Sequence, residues 1–544
     1  MKTFDFQCGC KIPILDEAIK PEDGLPSMEI DFENLPERCP DTWALFCNGK
    51  TKGVFQLEKS LGQTWSKRLQ PVTIEEVGAL VSLIRPGCLK SIVDGKTMTQ
   101  HYQDRKNGDE EYTNFHPDAG TILDYTYGVI TYQEQTLALA KMFAGYDLVA
   151  ADLLRKAIGK KKADIMAQCR ITFVKGCIDA GIISEGDAIA LFDIIEKSNR
   201  YSFNKAHAIG YGKTSYQCAY AKAHFPLHFY CSYLANSGDK ANRREEVREL
   251  ISDSKSFKLD ILSPSVFIGN ENFVLEDGKI RFGIGNVKDI GGSKVTQTLI
   301  KIAEIEGAVG KRLKDMTWYE MLVNVLPELG SKVVNNLIAV GAFSNYGMSR
   351  SEMLYQYKKV CGSGPKTTHI TDTELKWIKA NKFNDIISAI KGLIAAKVPN
   401  KKRILSVEST LDLLEKPREN LGDTVQWASG VEEELLGTSI TCSKLDGCDT
   451  STINCKCGEF SDCSLRHIIM GLQIDRVTEW KPKVAGAKPL AFVTAHDETG
   501  SVEIMVPADQ YSDNGFLLFV GNTVIFTGFK NKRNSLQVKG ITQI

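Results

Sequence analysis

The spacing of the apolar residues changes along this chain, and that change limits the folds it can adopt. Between residues 53 and 237 they recur at the period of an α-helix, whereas beyond residue 466 short apolar runs alternate with glycine-bearing turns. These patterns predict helices at residues 73–84, 136–143, 150–158, 162–180, 184–197 and 214–236, and strands at residues 488–506, 515–520, 523–529 and 535–540. The sequence therefore predicts a multidomain α+β fold that ends in a small β-barrel.

The stretch between these regions carries turn signals. Asp277 and Gly278 lie within a β-prone run at residues 272–282 and predict a hairpin. Residues 361–405 carry many Lys, Thr and Ser and predict a looser connection. At 544 residues the chain exceeds what one hydrophobic core usually supports, so we expect three or more domains.

Charge and cysteine content narrow the classes of function. Lysine plus arginine and aspartate plus glutamate both number 67, so any polyanion site must come from local clustering. The sequence has neither an apolar run long enough to span a bilayer nor the apolar core of a secretory signal. We therefore expect a cytoplasmic protein with no membrane contact, whose 15 cysteines are thiols or metal ligands.

Five cations lie within eight residues where a predicted helix breaks near Gly159. Such a cluster can neutralise several phosphates, through the planar fork of arginine and the point charges of lysine. It can equally be a solvated helix end that the helix dipole stabilises, and the spacing leaves both interpretations open. The five residues are Arg155, Lys156, Lys160, Lys161 and Lys162.

Two polar motifs flank this cluster. Residues 201–211 place Asn204, Lys205 and His207 close together, where they could contact a triphosphate or a template strand. Gln133 and Gln135 stand in the first turn of a predicted helix. Taken alone, each motif is explained better by local structure, with Asn204 capping a helix and the glutamines on a helix surface.

Two carboxylates in strand-like surroundings are candidates for metal binding. Two-metal phosphoryl transfer needs acidic side chains that hold two Mg²⁺ ions about 4 Å apart. Asp5 and Asp31 are the candidates, although exposed aspartates near turns are common.

A glycine turn at residues 283–295 suggests a second phosphate site. Backbone N–H groups at such a turn can hold a DNA phosphate without reading sequence, and the residues concerned are Lys288, Gly291, Gly292 and Lys294. A plain connection between two helices is the alternative.

Five cysteines crowd into 22 residues near the start of the strand-rich region. Their spacings do not form paired C-x2-C units, so a structural Zn²⁺ site is only one of the open interpretations. A catalytic thiol would need a base, and His467 is the one nearby in sequence. These cysteines are Cys442, Cys448, Cys455, Cys457 and Cys463.

In their order along the chain, these motifs resemble the C-family replicative polymerases, that is, the bacterial DNA polymerase III alpha subunit. The similar segments are Gly53-Val-Phe-Gln-Leu-Glu58, Lys67-Arg-Leu-Gln-Pro71, Leu83-Ile-Arg-Pro-Gly87, Tyr127-Gly-Val-Ile-Thr-Tyr-Gln-Glu-Gln135, Ala151-Asp-Leu-Leu-Arg155, Gly159-Lys-Lys-Lys162, Phe203-Asn-Lys-Ala-His207, Ser215-Tyr-Gln217 and Lys222-Ala-His-Phe-Pro226. Weaker similarity covers residues 280–288 and 337–343 (helix-hairpin-helix region), 434–437 and 492–503 (OB-fold, a single-strand binder).

The resemblance implies five regions. They are a distal palm remnant and linker at 1–52, a mostly helical fingers region at 53–258, a β-binding-like and helix-hairpin-helix region at 259–360, a linker with the Cys-rich segment at 361–463, and an OB-fold β-barrel at 464–544.

The resemblance also implies an activity, that of a DNA-directed DNA polymerase transferring dNMP from a dNTP to a primer 3′-OH, with Mg²⁺ as cofactor and primer-template DNA and dNTPs as partners. Asp5 corresponds to the third of three palm aspartates and would be a catalytic Mg²⁺ ligand, whereas Asp31 falls in a linker. The nucleotide- and phosphate-binding residues that it implies are Arg85, Gln133, Gln135, Arg155, Lys156, Lys160, Lys161, Lys162, Asn204, Lys205 and His207.

The sequence departs from the family at the palm, where the paired first two aspartates are not found. We therefore expect a split polymerase in which an N-terminal polymerase chain supplies those aspartates, in an arrangement that would suit a phage protein in the host cytoplasm. The alternatives are a fragment of a longer chain and a non-catalytic DNA-binding or processivity module. Thr410-Leu-Asp-Leu-Leu414 is a degenerate match to a peptide that binds a sliding clamp, and a helix turn explains it equally well.

Overall fold

A computed structural model describes residues 3–5, 8–16, 29–90, 92–159, 163–198, 202–237, 243–361, 369–482, 486, 488–531 and 534–543. The predictions for Lys160, Lys161 and Lys162 lie outside the described residues, as does the side chain of Asp5. The chain divides into two compact units, Met1–Pro226 and Leu227–Ile544.

The first unit is mostly helical and carries two small sheets. Strands β1 (Thr3–Asp5), β2 (Lys11–Asp16) and β3 (Glu29–Ile30) form an antiparallel sheet, and β4 (Ile92–Val93) pairs with β5 (Lys96–Thr97). The helices are α1 (Pro40–Cys47), α2 (Ser60–Leu69), α3 (Ile74–Leu83), α4 (Pro86–Lys90), α5 (Met98–Asn107), α6 (Gly120–Leu123), α7 (Gln133–Ala144), α8 (Leu148–Gly159), α9 (Ala163–Ala180), α10 (Glu185–Ser198) and α11 (Lys205–His224).

Helix α3 begins where its sequence predicts. The hydroxyl of Thr73 accepts a hydrogen bond from the backbone N–H of Glu76 (3.2 Å), which caps the helix. Helix α3 crosses α11 in close backbone contact, since a Cβ atom at Gly212 would lie 2.7 Å from the carbonyl oxygen of Ile74. A Cβ at Gly78 would lie 3.0 Å from the carbonyl oxygen of Ala208. Only glycine permits this approach at residues 78 and 212.

The single helix predicted at residues 214–236 is wrong, because the chain breaks at Phe225. Helix α11 ends at His224 and a new helix, α12 (Pro226–Ala235), begins one residue later. Pro226 has no N–H to donate and disfavours a helical conformation at the residue before it. Phe225 accordingly leaves the helical region, with φ −130° and ψ 51°.

The second unit contains helices, a small sheet and a barrel. Strand β6 (Ile261–Leu262) runs parallel to β8 (Lys279–Arg281), which pairs with β7 (Val274–Glu276). The hairpin predicted at Asp277 and Gly278 is confirmed, and both residues have positive φ (49° and 74°). The helices beyond α12 are α13 (Arg243–Lys255), α14 (Ser293–Val309), α15 (Trp318–Glu320), α16 (Ser331–Ala339), α17 (Arg350–Val360), α18 (Asp372–Ala380), α19 (Ile386–Ala395), α20 (Ile404–Glu415), α21 (Val425–Leu436), α22 (Cys457–Phe460) and α23 (Ala508–Asn514).

The looser connection predicted over residues 361–405 contains two well-capped helices. Thr371 and Glu374 form a capping box at the start of α18, and Asp385 accepts a hydrogen bond from the N–H of Ser388 at the start of α19. Apolar residues of α19 are buried, including Ile386. The prediction of a looser connection followed the polar composition of this stretch and overlooked the capping residues Thr371, Glu374 and Asp385 in its sequence.

The C-terminal strands close into a five-stranded barrel, which confirms the α+β class. The strands β9 (Ile468–Trp480), β10 (Leu490–Asp497), β11 (Gly500–Val506), β12 (Thr523–Lys530) and β13 (Leu536–Gln543) follow the order β10-β11-β13-β12-β9 around it. Strands β11 and β13 run parallel, and the other neighbours are antiparallel. The strand predicted at 515–520 is wrong, because Leu517 and Leu518 are both buried and the chain turns there instead of alternating.

Candidate functional site

Gln135 holds the chain at the start of α7. It is 1% exposed, and its side-chain oxygen accepts hydrogen bonds from the backbone N–H groups of Thr131 (2.8 Å) and Tyr132 (2.9 Å). Its side-chain nitrogen donates to the carbonyl of Ile122 (3.0 Å) and the hydroxyl of Thr126 (2.6 Å). The prediction that Gln135 binds nucleotide is therefore replaced by a positioning role, because its amide is buried and fully engaged.

Residues 131–133 pair with Phe203, far away in sequence. The N–H of Phe203 donates to the carbonyl of Thr131 (3.1 Å), and the N–H of Gln133 donates to the carbonyl of Phe203 (2.9 Å). Tyr132 and Phe203 thereby form an isolated parallel bridge. This pairing fixes the start of α7 beside the segment that leads into α11.

Arg155 reaches this pairing from α8. One of its terminal nitrogens donates to the side-chain oxygen of Gln133 (3.3 Å), and its Nε donates to Asp152 (2.9 Å). Asp152 also pairs with Lys156 (2.7 Å). Hydrogen bonds from Lys156 and Arg155 hold the pKa of Asp152 below its usual range, so its carboxylate is charged at neutral pH and offsets part of the local positive charge.

Glu134 fastens the start of α11 to α7. Its carboxylate accepts hydrogen bonds from the side chain of Asn204 (2.7 Å) and the backbone N–H of Lys205 (2.9 Å). Asn204 in turn accepts from the N–H of His207 (2.9 Å), so the predicted helix cap is confirmed. The ammonium of Lys205 lies 4.1 Å from the centre of the Tyr125 ring, within range of a cation–π contact.

Arg85 and His207 complete the cluster around Phe203. The guanidinium carbon of Arg85 lies 4.6 Å from the centre of the Phe203 ring, and the His207 ring lies 5.3 Å from it. Arg85 and His207 are both exposed. We name the resulting cluster the basic junction, and it consists of Arg85, Gln133, Arg155, Lys156, Asn204, Lys205 and His207.

The basic junction has the chemistry of an anion site. Four of its side chains are cationic, and stacking on a ring leaves the in-plane N–H donors of a guanidinium available for a phosphate. The nearby carboxylates are engaged, with Asp152 bound to Arg155 and Lys156, and Glu134 bound to the start of α11. Local clustering thus provides the positive charge that the neutral chain lacks as a whole.

The finger domain of the bacterial DNA polymerase III alpha subunit matches residues 12–181 of this chain. DNA polymerase III subunit alpha of Aquifex aeolicus is 35% identical over 347 residues, which are 63% of this chain and 28% of that protein. The same subunit of Pseudomonas aeruginosa is 36% identical over 342 residues, 62% of this chain and 28% of that protein, and that of Thermus aquaticus is 34% identical over 339 residues, 62% and 27%.

Over 62–63% of its length the chain is similar to the bacterial DNA polymerase III alpha subunit. The chain spans 27–28% of the length of these curated relatives.

A turn in the second unit carries the other predicted phosphate-binding residues. Gly291 and Gly292 are exposed just before α14, and the ammonium of Lys294 lies 3.4 Å from the carbonyl oxygen of Asp289. Lys288 is paired with Glu434 (3.1 Å). A pocket of about 230 Å³ lies beside this turn, and its lining includes Lys288, Arg243 and Arg244.

The barrel carries aromatic side chains on its outer surface. Phe492 on β10 is 40% exposed, Trp480 on β9 is 48% exposed, and Phe516 and Phe519 in the turn before β12 are 75% and 56% exposed. Arg476 on β9 is also exposed. Exposed rings beside cations are suited to stacking with nucleic-acid bases.

The five cysteines of residues 442–463 do not converge in the structure. Cys455 lies next to Cys463, and burial together with the nearby carboxylate of Asp497 raises the pKa of Cys457. Cys442 contacts the carbonyl of Val425 (3.8 Å), and Cys448 that of Lys444 (3.4 Å). Within the part of the chain that the structure describes, these sulfurs supply no group of three possible ligands within 4.8 Å. The described positions of these five cysteines therefore do not favour the Zn²⁺ interpretation.

The sequence did not identify several residues that hold the basic junction in place. Glu134 lies between the two glutamines and Asp152 three residues before Arg155, but acidic residues in helices are too common to stand out. Phe203 belongs to the motif at residues 201–211. Its position beside Tyr132 and Arg85 depends on pairing between distant parts of the sequence. Asp31 caps a short turn by accepting a hydrogen bond from the N–H of Glu33 (3.1 Å).

Two further predictions concern the surroundings of the chain. Residues 410–414 lie inside α20. They therefore form turns of a helix, as the alternative interpretation predicts, and not an extended clamp-binding peptide. Among the described residues, no helix combines the length and apolarity needed to cross a membrane.

Proposed function

We propose that this chain takes part in template-directed DNA synthesis, as part of a DNA polymerase that transfers dNMP from a dNTP to a primer 3′-OH. The observation that carries this proposal is the basic junction, where residues from four separated segments meet around Phe203. Its cations would bind the phosphates of the incoming nucleotide or of the primer-template. Lys160, Lys161 and Lys162, which lie outside the described residues, would add further cations for these phosphates.

In the proposed reaction, the primer 3′-oxygen forms a bond to the α-phosphorus of the dNTP and pyrophosphate leaves. Arg85, Arg155 and Lys205 would stabilise negative charge on the phosphates, because charge-assisted hydrogen bonds are about twice as strong as neutral ones. His207 would act as a hydrogen-bond donor at the nucleotide. Gln135 would act at a distance, by holding Gln133 in place.

The palm carboxylates would be shared between two polypeptides. Asp5, at the end of β1, would contribute one Mg²⁺ ligand, and an N-terminal polymerase chain would contribute the others. Bound Mg²⁺ would lower the charge on the phosphates and activate the primer hydroxyl.

The second unit would bind DNA without reading its sequence. The turn at Gly291 and Gly292 and the pocket lined by Arg243 and Arg244 would hold backbone phosphates, as expected for a helix-hairpin-helix element. The barrel, as an OB-fold, would stack single-stranded bases on Phe492 and Trp480.

Primer extension by the chain co-expressed with a candidate N-terminal partner tests the proposal. Arg155→Ala should raise the KM for dNTP or lower kcat by about 10- to 100-fold, which corresponds to one lost charged hydrogen-bond pair. Arg155→Lys should recover only part of this loss, because lysine cannot form the planar fork. Arg170→Ala removes an arginine that pairs with Asp193 (2.6 Å) on α10, and it should leave extension unchanged.

The second candidate function is a non-catalytic DNA-binding or processivity module, favoured by the exposed rings of the barrel. Asp5→Asn separates the two candidates. Loss of extension with DNA binding retained supports catalysis, whereas unchanged extension by the reconstituted enzyme supports the module. Extension by this chain without any partner would contradict the split arrangement.

A further inference from the structure

Two cysteines and a histidine from three separate segments of the first unit meet at one point, with a third cysteine beside them. Cys8 and Cys10 lie in the turn between β1 and β2, Cys39 immediately precedes α1, and His224 is the last residue of α11. The possible ligand atoms of Cys8, Cys39 and His224 all lie within 4.8 Å of one another. Cys10 is buried and lies next to the thiols of Cys8 and Cys39.

The spacing of these atoms suits a single ion. The sulfurs of Cys8 and Cys39 are 4.0 Å apart, and a tetrahedral Zn²⁺ site with Zn–S bonds of about 2.3 Å has sulfurs about 3.8 Å apart. The sulfur of Cys39 is 3.0 Å from Nε2 of His224, against about 3.5 Å expected for a pair of ligands. A movement of about half an ångström by the imidazole would therefore open the centre of the group to the ion.

We propose that Cys8, Cys10, Cys39 and His224 form a structural Zn²⁺ site. Three thiolates and an imidazole are ligands that Zn²⁺ prefers over Mg²⁺ or Ca²⁺, which take oxygen ligands. Four protein ligands leave no open position for water or substrate, so the ion supplies stability and no reaction step. This proposal is independent of the polymerase function proposed above.

The local backbone is suited to such a site. Gly9 has φ +83°, a conformation that allows the chain to turn sharply between Cys8 and Cys10. The sulfur of Cys39 accepts a hydrogen bond from the backbone N–H of Thr42 (3.4 Å), and the start of a helix stabilises a thiolate. The ring of His224 packs against that of Tyr220 at 4.3 Å, which orients the imidazole.

The ion would connect segments that are far apart in sequence. Cys8 and Cys39 are separated by 31 positions, and Cys39 and His224 by 185. Cys8 lies three positions after Asp5, so the site would fasten the β1–β2 hairpin to α1 and α11. Removal of the ion should therefore loosen the N-terminal hairpin before it affects the rest of the unit.

Metal analysis of the full chain, purified without chelators, tests the proposal. We expect one Zn²⁺ per chain in the wild-type protein and less than a tenth of that in the double variant Cys8→Ser/Cys10→Ser. Cys47→Ser is the matched control, because Cys47 is the last residue of α1 and contacts only the carbonyl of Pro71 (3.8 Å) among the contacts known for its sulfur. This variant should retain the full Zn²⁺ content.

Cobalt provides a second measurement that does not depend on a variant's ability to fold. Wild-type protein with Zn²⁺ exchanged for Co²⁺ should show the intense visible bands of a tetrahedral ion and a sulfur-to-cobalt charge-transfer band. His224→Cys should keep the metal and strengthen the charge-transfer band, because a fourth thiolate replaces the imidazole. An octahedral cobalt spectrum, or a wild-type chain free of Zn²⁺, would overturn the proposal.

The cysteine-rich segment at residues 442–463 is the alternative location for a Zn²⁺ ion. Cys455→Ser/Cys463→Ser should leave the Zn²⁺ content unchanged. If that variant lost the ion while Cys8→Ser/Cys10→Ser kept it, the site would have been placed in the wrong half of the chain. A Cys8–Cys39 disulfide in the freshly purified protein, detected by mass spectrometry of non-reduced peptides, would also contradict the proposal.

Discussion

The C-terminal barrel and the basic junction differ in what holds their side chains in place. The barrel encloses apolar residues such as Phe526 and Leu472, both 0% exposed, and apolar burial does not depend on direction. The basic junction relies on directed hydrogen bonds, several of them at the surface, and on one buried amide, that of Gln135. Substitutions in the barrel core should therefore affect stability above all, whereas substitutions in the junction should affect binding, and Gln135 should affect both.

The largest effect is expected from Phe526→Ala in the barrel core. Truncating a fully buried phenylalanine leaves a cavity and costs about 3–5 kcal/mol of unfolding free energy. Urea denaturation followed by far-ultraviolet circular dichroism measures it. Phe516→Ala, at a position 75% exposed, is the matched control and should change stability by less than about 0.5 kcal/mol. Equal losses in the two variants would show that the barrel does not enclose Phe526.

Gln135→Ala should produce the next largest effect, since it leaves the N–H groups of Thr131 and Tyr132 without their acceptor. We expect a loss of about 2–4 kcal/mol in urea denaturation and, in the reconstituted polymerase, weaker dNTP binding. Gln133→Ala removes a more exposed amide of the same helix turn and should cost less than about 1 kcal/mol. If both variants bound dNTP normally, the junction would not be the nucleotide site.

Phe492→Ala tests the barrel surface instead of its core. Stacking of one base on an aromatic ring typically contributes about 1–3 kcal/mol of binding free energy. Loss of the Phe492 ring should therefore weaken binding of single-stranded DNA by about tenfold, and the free energy of unfolding should not change. Fluorescence anisotropy with a labelled oligothymidylate measures this affinity. Thr478→Ala, at the exposed position paired with Phe492 on β9, should bind like the wild type.

The smallest effect is expected from a charged cluster in the first unit, at Glu110. Burial alone would raise the pKa of this carboxyl, but hydrogen bonds from Arg105, His101 and Lys96 outweigh it and lower the pKa to about 2. The pairing therefore contributes stability above the ordinary pKa of 4.5, and that contribution is lost as pH falls toward 2.

Glu110→Gln should remove this dependence. The variant should be less stable than wild type by on the order of 1 kcal/mol at pH 7, and the difference should shrink between pH 4.5 and pH 2. Urea midpoints measured across this range provide the test, with the neighbouring exposed Glu111→Gln as the control. A difference that grew on acidification would show that the sign of the pKa shift is wrong.

Local signals in the sequence predicted the elements whose causes are local. Thr73, Ser184 and Asn204 cap helices as their sequence predicts, because a cap depends on residues within three positions. The break before Pro226 also has a local cause, the proline itself. Apolar residues recur at helical spacing on both sides of it, and this spacing favoured the prediction of a single helix. The turn at residues 515–520 resembled a strand in composition, but its consecutive buried leucines do not alternate.

Features built from distant residues could not be obtained in this way. The residues of the basic junction were predicted largely through the family resemblance, while the pairing that joins Gln133 to Phe203 needed the structure. The cysteines close in sequence do not converge, whereas Cys8, Cys39 and His224, which no spacing rule connects, do. The proposed ligands thus come from three separate segments, and only Cys8 and Cys10 are close to each other in sequence.

The close crossing of α3 and α11 has a consequence for how such chains can diverge. Arg85 follows the end of α3 and Lys205 begins α11, so the gap between these two cations depends on how near the helices lie. A methyl group at residue 78 or 212 would meet backbone oxygen within 3.0 Å and push the helices apart. Among homologous sequences these two glycines should thus vary together or not at all, although neither touches an anion. Whether glycine is kept at residues 78 and 212 would then depend on the size of the anion that fits between Arg85 and Lys205.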